Sequence, residues 1–98
     1  MTARLRFRPE AAADIADAHA WYEQQRPGLG GEFKEALDAA FALLVEKPEA
    51  FPDVYRGLRR LLVTSFPYAI YYRTEGDEVV IRGCLHTRRH PRRWHRRA

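Results

Sequence analysis

Residues 66–86 read FPYAIYYRTEGDEVVIRGCLH, and apolar and polar side chains alternate on both sides of the short segment Glu75-Gly76-Asp77. A period of two residues is typical of a β-strand. Glycine and acidic residues between two such runs indicate a tight turn. This stretch therefore predicts a β-hairpin, and the rest of the chain is interpreted around it.

The alternation also predicts which side chains share a face. In the first strand, Phe66, Tyr68, Ile70 and Tyr72 are expected to point inward, while Ala69, Tyr71 and Arg73 look outward. The second strand separates into two sets, one with Val79, Ile81, Gly83 and Leu85 and the other with Val80, Arg82, Cys84 and His86.

The amino-terminal half has the period of helices. Arginines alternate with Leu5 and Phe7, which predicts a short first strand, and a helix follows from Pro9 to about Gln25. Residues 26–31, RPGLGG, break this helix. The GxGG here follows a helix and lacks a Gly-Lys-Ser/Thr, so it does not predict a phosphate loop. Apolar residues at helical spacing predict a second helix that ends at Lys47-Pro48, with its face formed by Phe33, Leu37, Ala40, Phe41 and Leu44.

Between the second helix and the hairpin, residues 49–55 look like a loop and residues 56–63 like a strand, followed by a turn at Thr64-Ser65. The order β-α-α-β-β-β predicts an α+β fold, with a helical hairpin packed on one face of a mainly antiparallel sheet. We expect one domain over residues 1–98, with a basic C-terminal tail at 87–98 in which Pro91 begins a short helical turn and the final arginines are disordered.

Charge is segregated along the chain. Residues 1–8 carry three arginines and no acid, residues 9–53 carry ten acids against three bases, and residues 54–98 carry eleven arginines against three acids, giving +3, −7 and +8. An acidic helical layer and a basic sheet layer are expected, and such a field steers acidic partners to one side. Fifteen of the seventeen basic residues are arginine, which suits phosphate or carboxylate binding, although a GC-rich genome would also favour arginine.

Several classes of protein are disfavoured. No apolar run has the roughly 20 residues needed to span a bilayer, and no signal-peptide pattern opens the chain, so a cytoplasmic protein is expected. The histidines and the single Cys84 lack the spacing of a zinc site, so no metal or other cofactor is predicted. No nucleophile-and-base arrangement is indicated.

The ordered motifs along nearly the whole chain resemble the RelE/ParE toxins of bacterial type II toxin–antitoxin systems. These motifs are Asp14-Ile15, Trp21-Tyr22-Glu23, Gly28-Leu29-Gly30 with Phe33, Pro48, Phe51-Pro52, Arg59-Arg60, Phe66-Pro67-Tyr68, Ile70-Tyr71-Tyr72 and His86-x-x-Arg89-x-Pro91-x-x-Trp94. The resemblance implies a growth-arresting toxin whose cognate antitoxin is encoded beside it and wraps a carboxy-terminal segment over it. Operator DNA would be bound only through the antitoxin. One departure is Arg8 before Pro9, where many relatives carry Ser or Thr as the helix cap.

The resemblance leaves the target open. ParE-like (plasmid stabilisation) members inhibit DNA gyrase and are not nucleases, whereas RelE-like members cleave mRNA on the ribosome. The motifs Trp21-Tyr22 and His86 to Trp94 are more similar to the ParE-like branch, which favours gyrase. A basic nucleic-acid-binding module is a further alternative, without an RRM or helix-turn-helix pattern to support it.

Candidate site residues follow from these alternatives. RNA cleavage needs proton transfer and stabilisation of the phosphorane charge, for which the candidates are Arg60, Tyr72, Arg73, His86 and Arg89. No lysine follows Lys47, which weakens the nuclease hypothesis because RelE-like sites use lysines. For binding of a target or the antitoxin, the candidates are Arg59, Arg60, Arg73, His86, Arg88, Arg89, Arg92, Arg93 and Trp94. Trp94 is also a candidate for packing back onto the sheet, and Arg59 and Arg60 must face opposite sides of their strand.

Overall fold

Two helices cover one face of a five-stranded sheet. The structure is a computed structural model. It describes residues 3–89 and 93–98, except for the side chain of Arg93. The sheet order is β1-β5-β4-β3-β2, with β1 parallel to β5 and every other neighbouring pair antiparallel. The elements are β1 (Arg4–Phe7), α1 (Pro9–Gln25), α2 (Leu29–Glu46), β2 (Asp53–Tyr55), β3 (Leu58–Leu62), β4 (Tyr68–Glu75), β5 (Glu78–His86) and a 3₁₀ helix (Arg93–Arg97). The predicted α+β class and the helical hairpin are confirmed.

The main core lies between the helices and the sheet. Phe33, Leu37 and Leu44 of α2 are buried against Ile70 and Tyr72 of β4. The predicted inward face of β4 is therefore confirmed. Neither helix is long and apolar enough to span a bilayer, as judged over the described residues.

The turn between the helices depends on Glu23. Its carboxylate accepts hydrogen bonds from the backbone N–H groups of Gly28 and Gly30, each at 3.0 Å. These two N–H groups hold the pKa of Glu23 below its ordinary value, with Gly28 the larger cause. Gly28 has φ of 92°, a left-handed conformation that favours glycine. Glu23 thus binds the N–H groups of Gly28 and Gly30 and holds the glycine-rich turn in place.

The N-terminal cap of α1 lacks the usual Ser or Thr, as the presence of Arg8 in the sequence indicated. Arg8 stands at the N-cap position and makes no side-chain hydrogen bond to the helix, while Pro9 occupies the first turn. Proline is tolerated there because the first-turn N–H groups have no intrahelical partner. The helix therefore begins on proline geometry without a polar cap.

One strand was missed from the sequence. Residues 49–55 were predicted to be a loop, but Asp53–Tyr55 form β2, and β3 begins at Leu58 rather than at Arg56. The turn between them has positive φ at Arg56 and Gly57, and Asp53 accepts a hydrogen bond from the Gly57 N–H at 2.8 Å. A three-residue edge strand is too short to give a periodic signal.

The predicted faces of β5 are wrong beyond Arg82. Tyr71 pairs with Gly83 and Tyr72 with Ile81, so Arg82 is an extra residue in a β-bulge. A one-residue insertion moves every later side chain to the other face. Cys84 therefore joins Ile81 in the core beneath the helices, whereas Leu85 lies on the opposite face.

Candidate functional site

The sheet face turned away from the helices carries a second, smaller core. It consists of Leu58, Ala69, Tyr71 and Leu85, against which Trp94 of the 3₁₀ helix packs. The rings of Trp94 and Tyr71 are stacked, with centroids 5.8 Å apart and planes 8° apart. Tyr71 and Ala69 were correctly predicted to face away from the helices, but the expectation that they look outward is wrong because the 3₁₀ helix covers them.

A largely buried ion pair fixes the path of the tail. Arg97 donates hydrogen bonds to both carboxylate oxygens of Asp14, from Nη1 to Oδ2 at 2.7 Å and from Nη2 to Oδ1 at 3.2 Å. The side chains of Arg97 and Asp14 are only 13% and 15% exposed. The expectation of a tail disordered at its end is therefore wrong for Arg97.

The same ion pair completes the edge of β5. Asp14 also accepts a hydrogen bond from the Cys84 backbone N–H at 3.0 Å, and Arg97 donates to the Arg82 carbonyl at 3.1 Å. Arg82 in turn donates to the carbonyls of Arg97 and Ala98. These contacts join residues up to 83 positions apart, so no local pattern could have revealed them.

A surface that we call the basic face extends from this second core. Arg60 hydrogen-bonds to Tyr71, which opposes the rise in the Tyr71 pKa that burial causes. The guanidinium of Arg56 lies over the Tyr55 ring, 5.2 Å from its centroid, and the centroid of the His95 ring is 4.9 Å from that of Tyr55. The cations of the basic face are Arg56, Arg60 and Arg73, and its rings are Tyr55, Tyr71, Trp94 and His95. Arg96 is exposed on the 3₁₀ helix that carries Trp94 and His95.

The arginines of the basic face differ from the others in their partners. Arg4, Arg6 and Arg82 pair with acids of the β4–β5 hairpin, and Arg26 pairs with Glu32. No ion pair within residues 3–89 and 93–98 involves a cation of the basic face. Instead, Arg73 packs so close to Gly57 that a Cβ there would lie 2.6 Å from its Nη1. The positive charge of this face is thus not neutralised by these ion pairs.

Arg59 and Arg60 face opposite sides of β3, as the sequence predicted. Arg59 pairs with Tyr72, which lies in the core beneath the helices, and its Nη1 donates to the carbonyls of Glu49 and Phe51 at 3.2 and 2.6 Å. Arg59 therefore holds the loop that precedes β2 through its Nη1 group.

His86 and Arg89 lie together at the far end of β5, in a pocket of about 290 Å³ beside Trp21 and Tyr68. The backbone N–H groups of Arg88 and Arg89 both donate to Nδ1 of His86, at 3.1 and 3.2 Å, which leaves Nε2 as the protonated nitrogen. The guanidinium of Arg89 lies over the Trp21 ring at 4.9 Å. Because of the bulge at Arg82, this pocket is on the helix side of the sheet.

The five nuclease candidates do not converge. Tyr72 is fully buried, its hydroxyl donates to the Pro48 carbonyl at 2.7 Å, and burial raises its pKa to about 12. Arg60 and Arg73 belong to the basic face, whereas His86 and Arg89 are in the pocket across the sheet. A proton carrier must lie within hydrogen-bond reach of the reacting groups, so these residues cannot act on one phosphate together.

The remaining candidates are only partly described. Arg88 is exposed at the end of β5, and Arg93 begins the 3₁₀ helix. Arg92, Pro91 and the side chain of Arg93 lie outside the described residues. Sequence reasoning missed Tyr55, Arg56 and His95, which the turn before β3 and the 3₁₀ helix bring into one surface.

Cys84 and the histidines show no sign of a metal site in the part of the chain that the structure describes. The Cys84 side chain is 1% exposed, and burial raises the pKa of its thiol to about 12, with Asp14 adding to the rise. A thiol in this environment is protonated at neutral pH and unreactive.

The fold matches a solved structure and the sequence matches known toxins. A chain of the chromosomal ParDE TA system from P. aeruginosa aligns with a TM-score of 0.74 at 21% identity, over 87% of this chain and 96% of that chain, which establishes a shared fold. Toxin ParE2 of Mycobacterium tuberculosis, from two strains, is 25% identical over 93% of this chain and 88% of its own length.

The class of the protein, that of small toxins of type II toxin–antitoxin systems, is shown by a family model that covers most of the chain. The family model described as "ParE toxin of type II toxin-antitoxin system, parDE" matches residues 5–91. The chain belongs to this family of ParE toxins, and a toxin of such a system has an antitoxin as its partner.

Proposed function

We propose that this toxin arrests growth by binding DNA gyrase and inhibiting it without covalent chemistry. Membership of the ParE family supports the toxin class, and the ParE-like motifs favour gyrase over the ribosome. The observation that carries the proposal is the separation of the nuclease candidates into the basic face, the buried Tyr72 and the pocket across the sheet. An inhibitor needs no such convergence, only a complementary surface with a few anchoring residues.

The basic face is the surface that we assign to the target. Arg60 and Arg73 come from neighbouring strands, and the β2–β3 turn adds Arg56, with Arg96 exposed on the 3₁₀ helix. An uncompensated positive surface accelerates association with an acidic macromolecule. Arg56 and the stacked Trp94 are held by aromatic contacts, which lowers the entropy lost when they bind a partner.

The pocket at the end of β5 is a second contact in this proposal. Arg88 and Arg89 project from the same end, and Arg89 is supported by its contact with Trp21. Arg92 and Arg93, which follow in the chain, extend the same run of positive charge. Their contribution to target binding is a prediction from the sequence.

Two assays on the purified toxin separate the alternatives. The toxin is added to gyrase with relaxed plasmid, and separately to a ribosome-dependent mRNA cleavage reaction. We expect loss of supercoiling in the first and intact mRNA in the second. Cleavage of mRNA with undisturbed supercoiling would assign the protein to the RelE-like mechanism instead.

A matched pair of charge variants tests the assigned surface. The double variant Arg56→Gln/Arg73→Gln should require at least tenfold more toxin for half-maximal inhibition of supercoiling. Arg8→Gln/Arg4→Gln removes the same charge from the β1 end of the molecule and should leave inhibition within about twofold of wild type. Equal loss in both variants would mean that only net charge matters.

A further inference from the structure

The three cations of the basic face lie around the turn between β2 and β3. Arg56 and Gly57 form that turn, and Arg73 of β4 packs so close to Gly57 that an added Cβ there would lie 2.6 Å from its Nη1. Arg60 pairs with Tyr71 across β3 and β4, and Arg73 lies two residues further along β4 on the same face. Two residues of a strand span about 7 Å. Three arginines from three elements therefore share one small area.

These arginines are held by rings and backbone rather than by acids. The guanidinium of Arg56 lies over the Tyr55 ring, and Arg60 donates a hydrogen bond to the Tyr71 hydroxyl. Within the described residues, none of the three cations takes part in an ion pair. Asp53, the acid nearest to the turn along the chain, accepts the Gly57 N–H at 2.8 Å instead. The guanidinium groups are thus positioned without being neutralised.

The ligand that suits this cluster carries closely spaced negative charges. Duplex DNA has one phosphate charge per about 1.7 Å of its axis, and the planar guanidinium of arginine binds a phosphate through two parallel hydrogen bonds. A protein partner would instead need apolar anchors at the centre of the contact. None of the large apolar side chains that are exposed within the described residues belongs to the basic face; they are Phe7, Trp21, Leu43 and Leu62. The basic face therefore fits a phosphate backbone better than a protein surface.

The rings of the basic face contact one another, which favours duplex over single-stranded DNA. The Trp94 ring stacks on Tyr71, and its centroid lies 4.0 Å from that of His95 and 6.2 Å from that of Tyr55. Proteins that bind single strands stack the bases on exposed rings. Here Tyr71 is only 3% exposed, so its ring supports the arginines and offers no platform for a base. Contacts made by the arginines alone go to phosphates and do not depend on sequence.

We propose that the basic face binds the phosphate backbone of duplex DNA, and that this duplex is the segment held by gyrase, so that the toxin contacts the enzyme and its DNA together. The choice of this DNA rests on the proposed function, whereas the phosphate site is a property of the basic face itself. The pocket at the end of β5 lies across the sheet and is left for the enzyme. Trp21 lines that pocket and is 41% exposed, which suits an anchor in a protein contact.

The phosphate site is tested on the full-length toxin alone, by fluorescence anisotropy with a short labelled duplex of mixed sequence at about 50–200 mM salt. Each phosphate neutralised adds about 0.9 to the slope of log affinity against log salt. Arg56→Gln/Arg73→Gln should therefore lower this slope by about 2 and weaken binding at least tenfold. The matched control Arg4→Gln/Arg8→Gln removes the same charge and should leave the slope within about half a unit of wild type. Equal losses in both variants would overturn the proposal, because only net charge would then matter.

Two further measurements guard this result. Melting followed by circular dichroism checks that the variants are folded, and Arg56→Gln alone, at an exposed turn position, should give a slope change of about 1 if the double variant is unstable. A single strand of the same length should bind the wild type more weakly than the duplex does. Tighter binding to the single strand would overturn the commitment to duplex DNA.

The place of this DNA is tested by measuring the affinity of the toxin for gyrase with and without a bound duplex. We expect at least tenfold tighter binding when the duplex is present, and loss of that gain in Arg56→Gln/Arg73→Gln. Equal affinity for both forms of gyrase, weakened alike by the variant, would assign the basic face to an acidic surface of the enzyme and overturn the proposal. Duplex binding without any binding to gyrase would refute the gyrase target and leave the phosphate site standing.

Discussion

The two faces of the sheet are built with different amounts of support. The helix-covered face buries three large side chains of α2 and a cluster of rings from both layers, whereas the core on the opposite face consists of four buried residues beneath one 3₁₀ helix. The first face accounts for most of the apolar burial and hence most of the stability. The second face is covered by one short 3₁₀ helix, and the arginines of the basic face form no ion pair within the described residues. In our proposal, most of the stability comes from the helix-covered side of the sheet, and the main target contact lies on the opposite side.

The largest loss of stability is expected from a substitution on the helix-covered face. Leu37 is 2% exposed within the main core, so Leu37→Ala should lower the free energy of unfolding by about 2–5 kcal/mol, because it removes buried methyl groups and leaves a cavity. Leu62→Ala makes the same change at a position that is 61% exposed and should cost less than about 0.5 kcal/mol. Urea unfolding followed by circular dichroism measures both. Equal losses would show that the core is misassigned.

The ion pair between Asp14 and Arg97 should have the next largest effect, since it joins α1 to the tail across the edge of β5. Asp14→Asn leaves Arg97 largely buried without its counter-charge, and we expect a loss of about 3 kcal/mol. The exposed pair Lys34–Asp38, at 2.9 Å, is the control and should contribute about 0.5 kcal/mol. Double-mutant cycles on both pairs give their coupling energies. A coupling at Asp14–Arg97 as small as the control would contradict the role of this pair as a clamp.

Trp94 tests how much the second core contributes. Its indole stacks on Tyr71 and is only partly buried, so Trp94→Ala should cost about 1–2 kcal/mol, of which about 1 kcal/mol comes from the aromatic pair. Thermal unfolding measures the loss. Trypsin should also cleave the 3₁₀ helix of this variant faster than that of the wild type, while α1 and α2 stay protected. Loss of the whole fold would mean that the second core carries far more stability than its size indicates.

The smallest effect is expected at Glu23, and it should depend on pH. The folded-state pKa of Glu23 is lower than the unfolded value, so its stabilisation is fully present above the unfolded pKa and is lost as pH falls through the folded pKa. Glu23→Gln should therefore be less stable than wild type at pH 7, and the difference should narrow below pH 4.5, the ordinary value for glutamate. Chemical denaturation at several pH values measures it. A difference that is constant with pH would rule out the carboxylate charge as the cause.

The sequence predicts the helix-covered face well because its evidence is local. The spacing of Phe33 and Leu37 gives the buried side of α2, and the alternation through Ile70 and Tyr72 gives the inward side of β4. Each of these two predictions depends only on the spacing of apolar residues within its own helix or strand. The assignment of Arg59 and Arg60 to opposite sides follows from the same rule.

The second face is predicted poorly because its determinants are distant or too short. The bulge at Arg82 exchanges the sides of the sheet on which Cys84 and Leu85 lie. No residue type in this segment predicts a bulge. The contact of Arg97 with Asp14 spans 83 positions. Together with the hydrogen bonds from Arg82 to the carbonyls of Arg97 and Ala98, it holds the tail against the sheet, where Trp94 covers Tyr71. The sequence therefore indicates which types of residue form the candidate site on this face, but it does not predict how these residues come together.

The most direct test of this division is hydrogen–deuterium exchange of the toxin in its complex with gyrase. We expect slower exchange in the β2–β3 turn and the 3₁₀ helix, which carry Arg56 and Arg96, with the amides of α2 unchanged. Protection confined to α1 and α2, with the 3₁₀ helix exchanging as in the free toxin, would contradict the assignment of target binding to the basic face.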